Sequence, residues 1–418
     1  MKRLVIFLWI VIAMTTLQAD AQNTKKRVLF LGNSYTNRND LPQIVSNIAN
    51  SRGDTLIVDF YAPNSYTLLL HTRDANTLSI IATGNWDLVV LQEQSQRPAL
   101  PSEADTRFFP NVKILDSLVN VFNPCGETML YMTWGRKNGD VDNCGVHPPV
   151  CTYVGMDSLL RLAYMQAADN NKAVVSPVGA VWRHIRQNYP SIELYNVDET
   201  HPSVAGSYAA ALCFYTCIFR KNPVLVNFNN GLTATEANNI KMAVKTVVFD
   251  SLLNWQIGTY DPKADFTRRV LANNTVAFTN RSTNATQYFW EFGDGNTSTV
   301  ANPTYTYATS NTYTVKLKAI RCNETHTFTQ SINVSTTGIQ EEKTQLHIYP
   351  NPVSDKLVLE NNPFDKLLIV NSMGQVKAVF YDNKFSTTII DFSRFAVGHY
   401  LLVLVKVGRV LSQKLVKQ

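Results

Sequence analysis

The stretch LFLGNSYT, residues 29–36, is an apolar run that ends in a glycine, an asparagine and a serine. Such a run predicts a buried strand, and Gly-Asn-Ser after it predicts a tight turn into a helix. A serine at this place can be a nucleophile, or it can only cap the helix that follows. Ser34 alone does not separate these alternatives, so other parts of the chain have to be considered.

Apolar runs of this kind alternate with segments of helical length from residue 27 to about residue 250. The runs are RVLFLG (27–32), LIVDFYA (56–62), DLVVLQ (87–92), TMLYMTW (128–134) and KAVVSPV (172–178). Strands that are continuously apolar are buried on both faces, and their alternation with helices predicts a parallel sheet. We therefore expect a three-layer α/β/α domain whose active site lies beyond the carboxyl ends of the strands.

Polar residues lie at three places in this part of the chain. Gly32–Ser34 follow the first strand, Gln92–Ser95 follow the third, and the later segment YNVDETHP, residues 195–202, contains Asp198 and His201. In a tight turn, Asp198 can accept a hydrogen bond from Nδ1 of His201, three residues away, which leaves Nε2 free to bond a serine. Together with Ser34, these residues are the components of a Ser-His-Asp hydrolase.

The motifs GNS (32–34) and DETH (198–201) resemble those of the SGNH, or GDSL-type, hydrolases. The resemblance implies a flavodoxin-like fold for residues 27–255. It also implies that Ser34 is the nucleophile, His201 the base and Asp198 its acidic partner. Asn33 stands where the family usually has an aspartate.

The resemblance is weaker for the groups that would bind an oxyanion. The family has a glycine after the second strand, where this chain has Asn64, and a Gly-x-Asn-Asp block where it has residues 92–95. Alignment of the strand ends places Gln94 at the family's asparagine, with Gln92 as the competing candidate. A glutamine amide offers the same N–H donor. The backbone N–H of Ser34 and the backbone near Asn64 are the other expected oxyanion donors. A structural role for Gln94, bonding the loop backbone, is the alternative.

The amino terminus predicts export. Lys2 and Arg3 precede an apolar run of 11 residues (4–14), and Ala19-Asp20-Ala21 follows as a cleavage site. This pattern is typical of a signal peptide, residues 1–21, and the run is too short for a membrane span, which needs about 20 residues. No transmembrane anchor is expected.

Six cysteines accompany this export signal. Cys144 and Cys151 flank a proline-containing loop and either pair or stay free, because connectivity cannot be read from sequence. Cys213 and Cys217 are four residues apart in an apolar helix, which favours small core residues. His147 with two cysteines falls short of the four ligands of a zinc site, so no metal is expected there. A Ser-His-Asp mechanism needs neither a metal nor an organic cofactor, so none is expected.

The charge of the chain excludes one class of partner. The net charge is +6, and the charged residues are scattered without long runs of one sign. Binding of nucleic acid requires basic residues that cluster in a patch or stripe. No nucleic-acid partner is therefore expected.

Residues 263–336 differ in composition and are rich in Thr, Asn, Tyr and Val. The stretch YFWEFGDGNTS (288–298) resembles the PKD domain, an immunoglobulin-like module. Trp290 and Phe292 alternate with Glu291, so both are expected to face the core of a small β-sandwich. Gly293 and Gly295 would permit the tight turn.

Residues 345–418 read as a second small β-sandwich. The box YPNP (349–352), the turn NSMGQ (371–375), the stretch GHYLL (398–402) and the terminal Lys414 and Lys417 resemble the C-terminal sorting domain of type IX secretion substrates in Bacteroidetes. The resemblance implies the type IX machinery as a partner and the outer cell surface as the destination.

These features together predict an exported SGNH-type serine esterase that removes acetyl or similar acyl esters from carbohydrate. Its substrate would be an ester-bearing small molecule or polysaccharide. The alternative is a surface binding or adhesion protein whose hydrolase domain is weak or inactive. The sequence leaves open the acyl group, the ligand of the PKD domain, the oligomeric state and the choice between Gln94 and Gln92.

Overall fold

A computed structural model describes residues 23–335, 347–360, 364–383, 387–406 and 409–418. The predicted signal peptide, residues 1–21, lies outside these residues. The chain divides into two compact units. Of the described residues, the first holds those up to Lys263 together with Thr283–Gln287 and Ala319–His326, and the second holds Ala264–Ser282, Tyr288–Lys318 and those from Thr327 onward.

A parallel sheet forms the centre of the first unit. Its strands are β1 (Lys25–Leu31), β2 (Thr55–Tyr61), β3 (Leu88–Leu91), β4 (Glu127–Tyr131) and β5 (Val174–Ser176). They lie in the order β2-β1-β3-β4-β5, and all neighbouring pairs are parallel. This is the flavodoxin-like strand order. The fold class predicted for this part of the chain is confirmed.

Helices join the strands and complete the core. They are α1 (Ser34–Asn37), α2 (Leu41–Asn50), α3 (Leu68–His71), α4 (Ala75–Ile81), α5 (Pro101–Glu103), α6 (Phe109–Phe122), α7 (Val141–Cys144), α8 (Tyr153–Asn171), α9 (Val178–Asn188), α10 (Val204–Phe219) and α11 (Ala234–Val247). Short 3-10 helices lie at Arg38–Asp40, Arg97–Ala99, Pro148–Cys151, Pro223–Leu225 and Phe249–Trp255, with a π-helical turn at Ala104–Phe108. Helix α2 packs against α10, and α6 packs against α8. Among the described residues, no helix is long and apolar enough to cross a membrane.

The cysteines of the first unit have two different roles. Cys213 and Cys217 are free and buried in α10, as the apolar helix predicted. Cys144 and Cys151 form a disulfide, which settles the alternative that the sequence left open. A second disulfide, Cys125–Cys322, joins residues 197 positions apart in sequence.

The segment after Lys263 forms an antiparallel β-sandwich. Its strands are β6 (Phe266–Val270), β7 (Thr275–Asn280), β8 (Gln287–Glu291), β9 (Thr297–Ser298), β10 (Thr304–Thr306), β11 (Asn311–Arg321) and β12 (Glu324–Val334), in sheets β10-β7-β6 and β12-β11-β8-β9. Phe266 of one sheet contacts Trp290 of the other, with 5.0 Å between ring centroids. Trp290 and Phe292 are both buried, as predicted. A Cβ at Gly293 would lie 2.6 Å from the carbonyl oxygen of Thr314, so glycine is required there.

The described residues from 347 onward form another pair of antiparallel sheets. The strands are β13 (His347–Tyr349), β14 (Lys356–Glu360), β15 (Phe364–Asn371), β16 (Val376–Asn383), β17 (Thr387–Asp391), β18 (Gly398–Lys406) and β19 (Arg409–Lys417), in the orders β13-β14-β17 and β16-β15-β18-β19. Leu357 and Leu359 of one sheet share a core with Leu367 and Leu402 of the other. The predicted all-β class of the C-terminal part is confirmed.

Candidate active site

The register of β1 and β3 brings two polar loops side by side. Leu31 pairs with Leu91, and each is the last residue of its strand. The backbone N–H of Gln92 then donates to the carbonyl oxygen of Leu31 at 2.9 Å. Ser34 and Gln94 each follow their strand by three residues, so they occupy equivalent positions in adjacent loops.

The side chain of Gln92 lies beneath the loop Gly32–Ser34, which is called the serine loop below, and supports it. Its Oε1 accepts hydrogen bonds from the backbone N–H of Asn33 at 2.9 Å and from Oγ1 of Thr36 at 3.0 Å. Its Nε2 donates to the carbonyl oxygen of Glu93 at 2.5 Å. The residue is fully buried. Gln92 therefore lies beneath the loop, where its amide holds backbone, rather than beside a position that an oxyanion would occupy.

Gly32 is required by the close packing of this loop. A Cβ at this position would lie 2.3 Å from Oγ1 of Thr36 and 2.5 Å from Oε1 of Gln92. The carbonyl oxygen of Gly32 lies 2.8 Å from Nε2 of His71. Because a carbonyl oxygen only accepts, Nε2 carries the hydrogen, and Nδ1 accepts from Oγ1 of Thr77 at 2.9 Å. Burial lowers the pKa of His71, which makes it a neutral support of the loop.

Asn33 begins helix α1 and connects two loops. Its Oδ1 accepts from the backbone N–H of Tyr35 at 3.0 Å, which is an N-cap bond. Its Nδ2 donates to the carbonyl oxygen of Tyr66 at 2.9 Å. An ionised aspartate could make only the first of these bonds, since it has no hydrogen to donate. The second bond fixes the turn before Tyr66, on which Asn64 lies exposed.

The structure brings Ser34, His201 and Asp198 into one line. Oγ of Ser34 lies 2.8 Å from Nε2 of His201. Nδ1 of His201 lies 2.7 Å from Oδ2 of Asp198. With Nδ1 donating to the carboxylate, Nε2 is left with its lone pair toward the serine hydroxyl. This is the tautomer that lets an imidazole accept a proton from serine.

The carboxyl group of Asp198 is held in its ionised form. Partial burial raises its pKa, but hydrogen bonds from the backbone N–H groups of His201 at 2.9 Å and Thr200 at 3.0 Å outweigh this effect. The pKa of Asp198 therefore lies below its usual range. An ionised Asp198 stabilises positive charge on His201 when the imidazole takes up a proton.

The turn that carries His201, residues 196–201, is fixed by its neighbours. Tyr195 and Pro202 form an isolated antiparallel bridge, and the backbone N–H of Asn196 donates to the carbonyl oxygen of His201 at 2.8 Å. Glu199 has a φ of 60° and accepts a bond from the backbone N–H of Lys137 at 3.0 Å. The separation of Asp198 and His201 is thus set by backbone contacts as well as by their own bond.

Aromatic rings pack behind the histidine. The ring of Tyr35 contacts His201 edge to face, with 5.2 Å between centroids. Trp134 stacks on the other side of Tyr35 at 4.8 Å and donates from Nε1 to the carbonyl oxygen of Thr200 at 3.0 Å. Trp134 is fully buried. It therefore supports the turn.

Gln94 is held by its backbone and by its side chain. Its backbone N–H donates to Oε1 of Glu93 at 2.6 Å, and its Nε2 donates to Oε1 of Gln96 at 2.6 Å. Glu93 is fully buried, and it also accepts from the backbone N–H of Leu68 at 3.3 Å. Burial raises the pKa of Glu93 to about 7, although these hydrogen bonds and Arg97 oppose the shift.

Glu93 and Gln96 are functional candidates that the sequence reasoning missed. The sequence contained a signal for Glu93, which lies two residues after the apolar run 88–91. A carboxylate so close to a buried strand is costly to bury, which suggests that it has a role. Gln96 gave no such signal, since a glutamine in a turn is ordinary. Of the predicted residues, Ser34, Asp198 and His201 meet, Gln94 lies in the adjacent loop, Gln92 lies below, and Asn64 lies on the exposed turn.

Two family models match the chain after the α/β domain. Residues 260–336 match the PKD domain, and residues 347–418 match a secretion system C-terminal sorting domain. Both resemblances that the sequence suggested for this part are confirmed. The sorting domain indicates export by the type IX system and localisation at the cell surface. The fold and these modules define an exported modular protein whose N-terminal domain has a flavodoxin-like fold.

Solved structures similar to the chain include hydrolases and a PKD domain. A protein from Slackia heliotrinireducens assigned as an SGNH hydrolase is 28% identical, with a TM-score of 0.39, over 46% of this chain and 97% of its own. A mutant acetyl-xylooligosaccharide esterase from Geobacillus is 17% identical, with a TM-score of 0.33, over 46% and 94%. The PKD1 domain of a metalloprotease from Vibrio cholerae is 34% identical, with a TM-score of 0.18, over 18% and 99%. No curated protein sequence matches the chain.

Proposed function

We propose that the α/β domain is a serine ester hydrolase of the SGNH type, which removes acetyl or similar acyl esters from carbohydrate. The observation that carries this proposal is the line of hydrogen bonds from Oγ of Ser34 to Nε2 of His201, 2.8 Å, and from Nδ1 of His201 to Asp198, 2.7 Å. A serine whose hydroxyl meets an imidazole oriented by a carboxylate is activated for attack on a carbonyl.

Each residue has a step in the proposed reaction. Oγ of Ser34 attacks the ester carbonyl while its proton passes to Nε2 of His201, and Asp198 stabilises the resulting imidazolium. The tetrahedral intermediate collapses, His201 returns the proton to the leaving alcohol, and an acyl-serine remains. Water then attacks the acyl group with His201 again as base, which releases the carboxylic acid and restores Ser34.

The negative charge of the intermediate requires hydrogen-bond donors. The backbone N–H of Ser34, the amide of Gln94 and backbone N–H groups near Asn64 would supply them. Gln92 is left out, because its amide lies beneath the loop and bonds Asn33 and Glu93. Removal of one such donor typically lowers the rate by about 100- to 1,000-fold.

The exposure of the triad supports a large substrate. The side chain of His201 is 27% exposed and that of Asp198 is 42% exposed. An ester on a polysaccharide can reach a base at the surface, whereas a deeply enclosed base would admit only small molecules. The proposal of a carbohydrate substrate also rests on the export of the chain and on the PKD and sorting domains that accompany the α/β domain. This support is an association of domains and does not come from the chemistry of the site.

Labelling of the full secreted chain with a fluorophosphonate probe, followed by peptide mapping, tests the proposal. We expect label on Ser34, none in Ser34→Ala, and strongly reduced label in His201→Ala. The matched control is His184→Ala, a change in helix α9 that should leave labelling unchanged. A folded chain that takes no label, or takes it at another serine, would contradict the proposal and favour a surface binding protein.

Substrate class is tested by release of acid from acetylated polysaccharide and from emulsified long-chain acylglycerol. We expect acetate release that depends on Ser34 and little hydrolysis of the acylglycerol. Preference for the long-chain substrate would contradict the carbohydrate part and leave the serine mechanism in place.

A further inference from the structure

The side-chain carbonyl of Gln96 accepts three hydrogen bonds in the loop that follows β3. Its Oε1 lies 2.6 Å from Nε2 of Gln94, 2.7 Å from Oγ of Ser95 and 3.0 Å from Nη2 of Arg136. A flipped Gln96 amide would place its NH2 group against these three donors, so the hydrogen bonds favour the orientation with Oε1 toward them.

Arg136 determines which end of the Gln96 amide faces the cluster. A guanidinium group only donates, so it requires an oxygen opposite it. Arg136 is itself held by Asp140, with 2.8 Å from Nη1 to Oδ1, and the side chain of Asp140 is fully buried. The other carboxylate oxygen of Asp140 accepts from Nδ2 of Asn143 at 2.7 Å. The carbonyl end of Gln96 is thus fixed by a charged pair.

The fixed oxygen of Gln96 in turn determines the orientation of the Gln94 amide. Rotation of that amide by 180° would place one carbonyl oxygen against another, so Nε2 of Gln94 must face Gln96. The orientation persists although Oε1 of Gln94 is buried and has no hydrogen-bond partner among the described residues. One N–H of Gln94 bonds Gln96, and the next acceptor, Oγ of Ser95, lies at 3.5 Å, which is too long for a strong bond.

We propose that Gln96, anchored by Arg136 and Asp140, is a positioning residue: it accepts one N–H of the Gln94 amide and thereby leaves the second N–H, rather than the carbonyl oxygen, to donate to the developing oxyanion. The inference rests on the proposed function, in which Gln94 is an oxyanion donor. A glutamine has one more rotatable bond than the asparagine of the related hydrolases, so its amide needs an additional constraint. Gln96 does not touch the substrate and acts only through Gln94.

Kinetics of ester hydrolysis by the full chain test this role through two substitutions. In Gln96→Leu the acceptor is lost, and we expect kcat to fall about 10- to 100-fold with little change in KM, because an oxyanion bond forms only in the transition state. In Gln96→Glu a carboxylate oxygen remains to accept from Gln94 and to pair with Arg136. We expect this variant to recover kcat to within about fivefold of the unmodified chain.

A double-mutant cycle separates positioning from a general effect on the fold. Gln94→Ala should lower kcat by about 100-fold or more, and adding Gln96→Leu should lower it no further. Arg136→Lys keeps the positive charge but loses the two nitrogens with which the guanidinium bonds Asp140 and Gln96 at once. We expect it to lower kcat about as much as Gln96→Leu does. The control is Gln187→Ala, an exposed position of helix α9, with thermal unfolding measured for every variant.

The outcomes are distinguishable from failure of the proposed function. If Ser34→Ala and His201→Ala abolish hydrolysis while Gln96→Leu keeps full kcat, the positioning role is overturned and the esterase stands. Additive losses in Gln94→Ala and Gln96→Leu overturn it too. If hydrolysis survives Ser34→Ala, the proposed function itself fails.

Discussion

The loop that carries Ser34 is held from below by buried side chains, whereas the turn that carries His201 is held near solvent. Gln92, Thr36 and His71, which bond the serine loop, are fully buried. His201 and Asp198 are 27% and 42% exposed. Water can replace a lost hydrogen bond at the surface but not in the core, where an unsatisfied group costs about 1–3 kcal/mol. The two halves of the site should therefore respond differently to substitution.

The largest expected effect lies in the exposed half. In Asp198→Asn the distance to His201 is kept while the charge and the tautomer control are lost, so we expect kcat to fall about 10⁴-fold. The melting temperature should change little, because the bond is partly exposed to water. Steady-state kinetics and thermal unfolding of the same samples check both expectations.

The control for this prediction is Glu199→Gln, one residue further along the same turn. It keeps the bond to Asn138 through its amide oxygen, and we expect kcat within about threefold of the unmodified chain. A large fall in the melting temperature of Asp198→Asn would show that the exposed turn of His201 depends on its hydrogen bonds for stability as much as the buried loop of Ser34 does.

A substitution in the buried half should affect both stability and activity. Gln92→Ala leaves the backbone N–H of Asn33 and the hydroxyl of Thr36 without their acceptor and opens a cavity. We expect the free energy of unfolding to fall by about 3–5 kcal/mol, with activity reduced even where the chain is folded. Urea unfolding measures the first effect, with Gln187→Ala as the exposed glutamine control. A stable Gln92→Ala variant would show that the loop does not depend on its buried support.

The smallest predicted effect concerns pH and Glu93. Its pKa in the folded chain is about 7, above the usual value of 4.5, because it is buried; Arg97 opposes the shift and Glu103 adds to it. Between pH 4.5 and pH 7 the folded chain therefore binds a proton at Glu93 that the unfolded chain has lost. The contribution of Glu93 to stability is present at low pH and is lost as pH rises through 7. Glu93→Gln should remove this loss.

Unfolding measurements at pH 5 and pH 8.5 check the prediction for Glu93. Relative to the unmodified chain, Glu93→Gln should gain stability on going to the higher pH, by at most about 3 kcal/mol. The exposed Glu324→Gln is the matched control and should show no such gain. Equal pH dependence in the Glu93→Gln variant and the unmodified chain would mean that Glu93 does not titrate in this range.

The sequence predicted the strands well because burial on both faces leaves a clear signal. RVLFLG and DLVVLQ correspond to β1 and β3 within one or two residues. KAVVSPV was too long, since only Val174–Ser176 form a strand and Pro177 caps helix α9. Strand ends, and with them the places where a site can form, are therefore predictable from apolar runs and turn residues.

The direction of each side chain beyond a strand end was not predictable. Gln92 and Gln94 have the same chemistry and nearly the same place in sequence, yet one lies beneath the serine loop and the other lies in the adjacent loop, bonded to Gln96. Their difference depends on partners that are distant in sequence, such as Asn33 and, through Gln96, Arg136. The catalytic roles of Ser34, Asp198 and His201 stay predictions until the labelling experiment is done.

The disulfide Cys144–Cys151 links the surroundings of Arg136 to the compartment in which the chain is oxidised. The ring that it closes includes Val150, whose carbonyl oxygen accepts the backbone N–H of Asp140 at 2.8 Å, and Asp140 holds Arg136. Structural disulfides form and persist mainly in oxidising compartments outside the cytoplasm. The ring that contacts Asp140 is therefore closed after the chain has left the cytoplasm. Oxidation, in addition to folding, would then complete the support of Arg136.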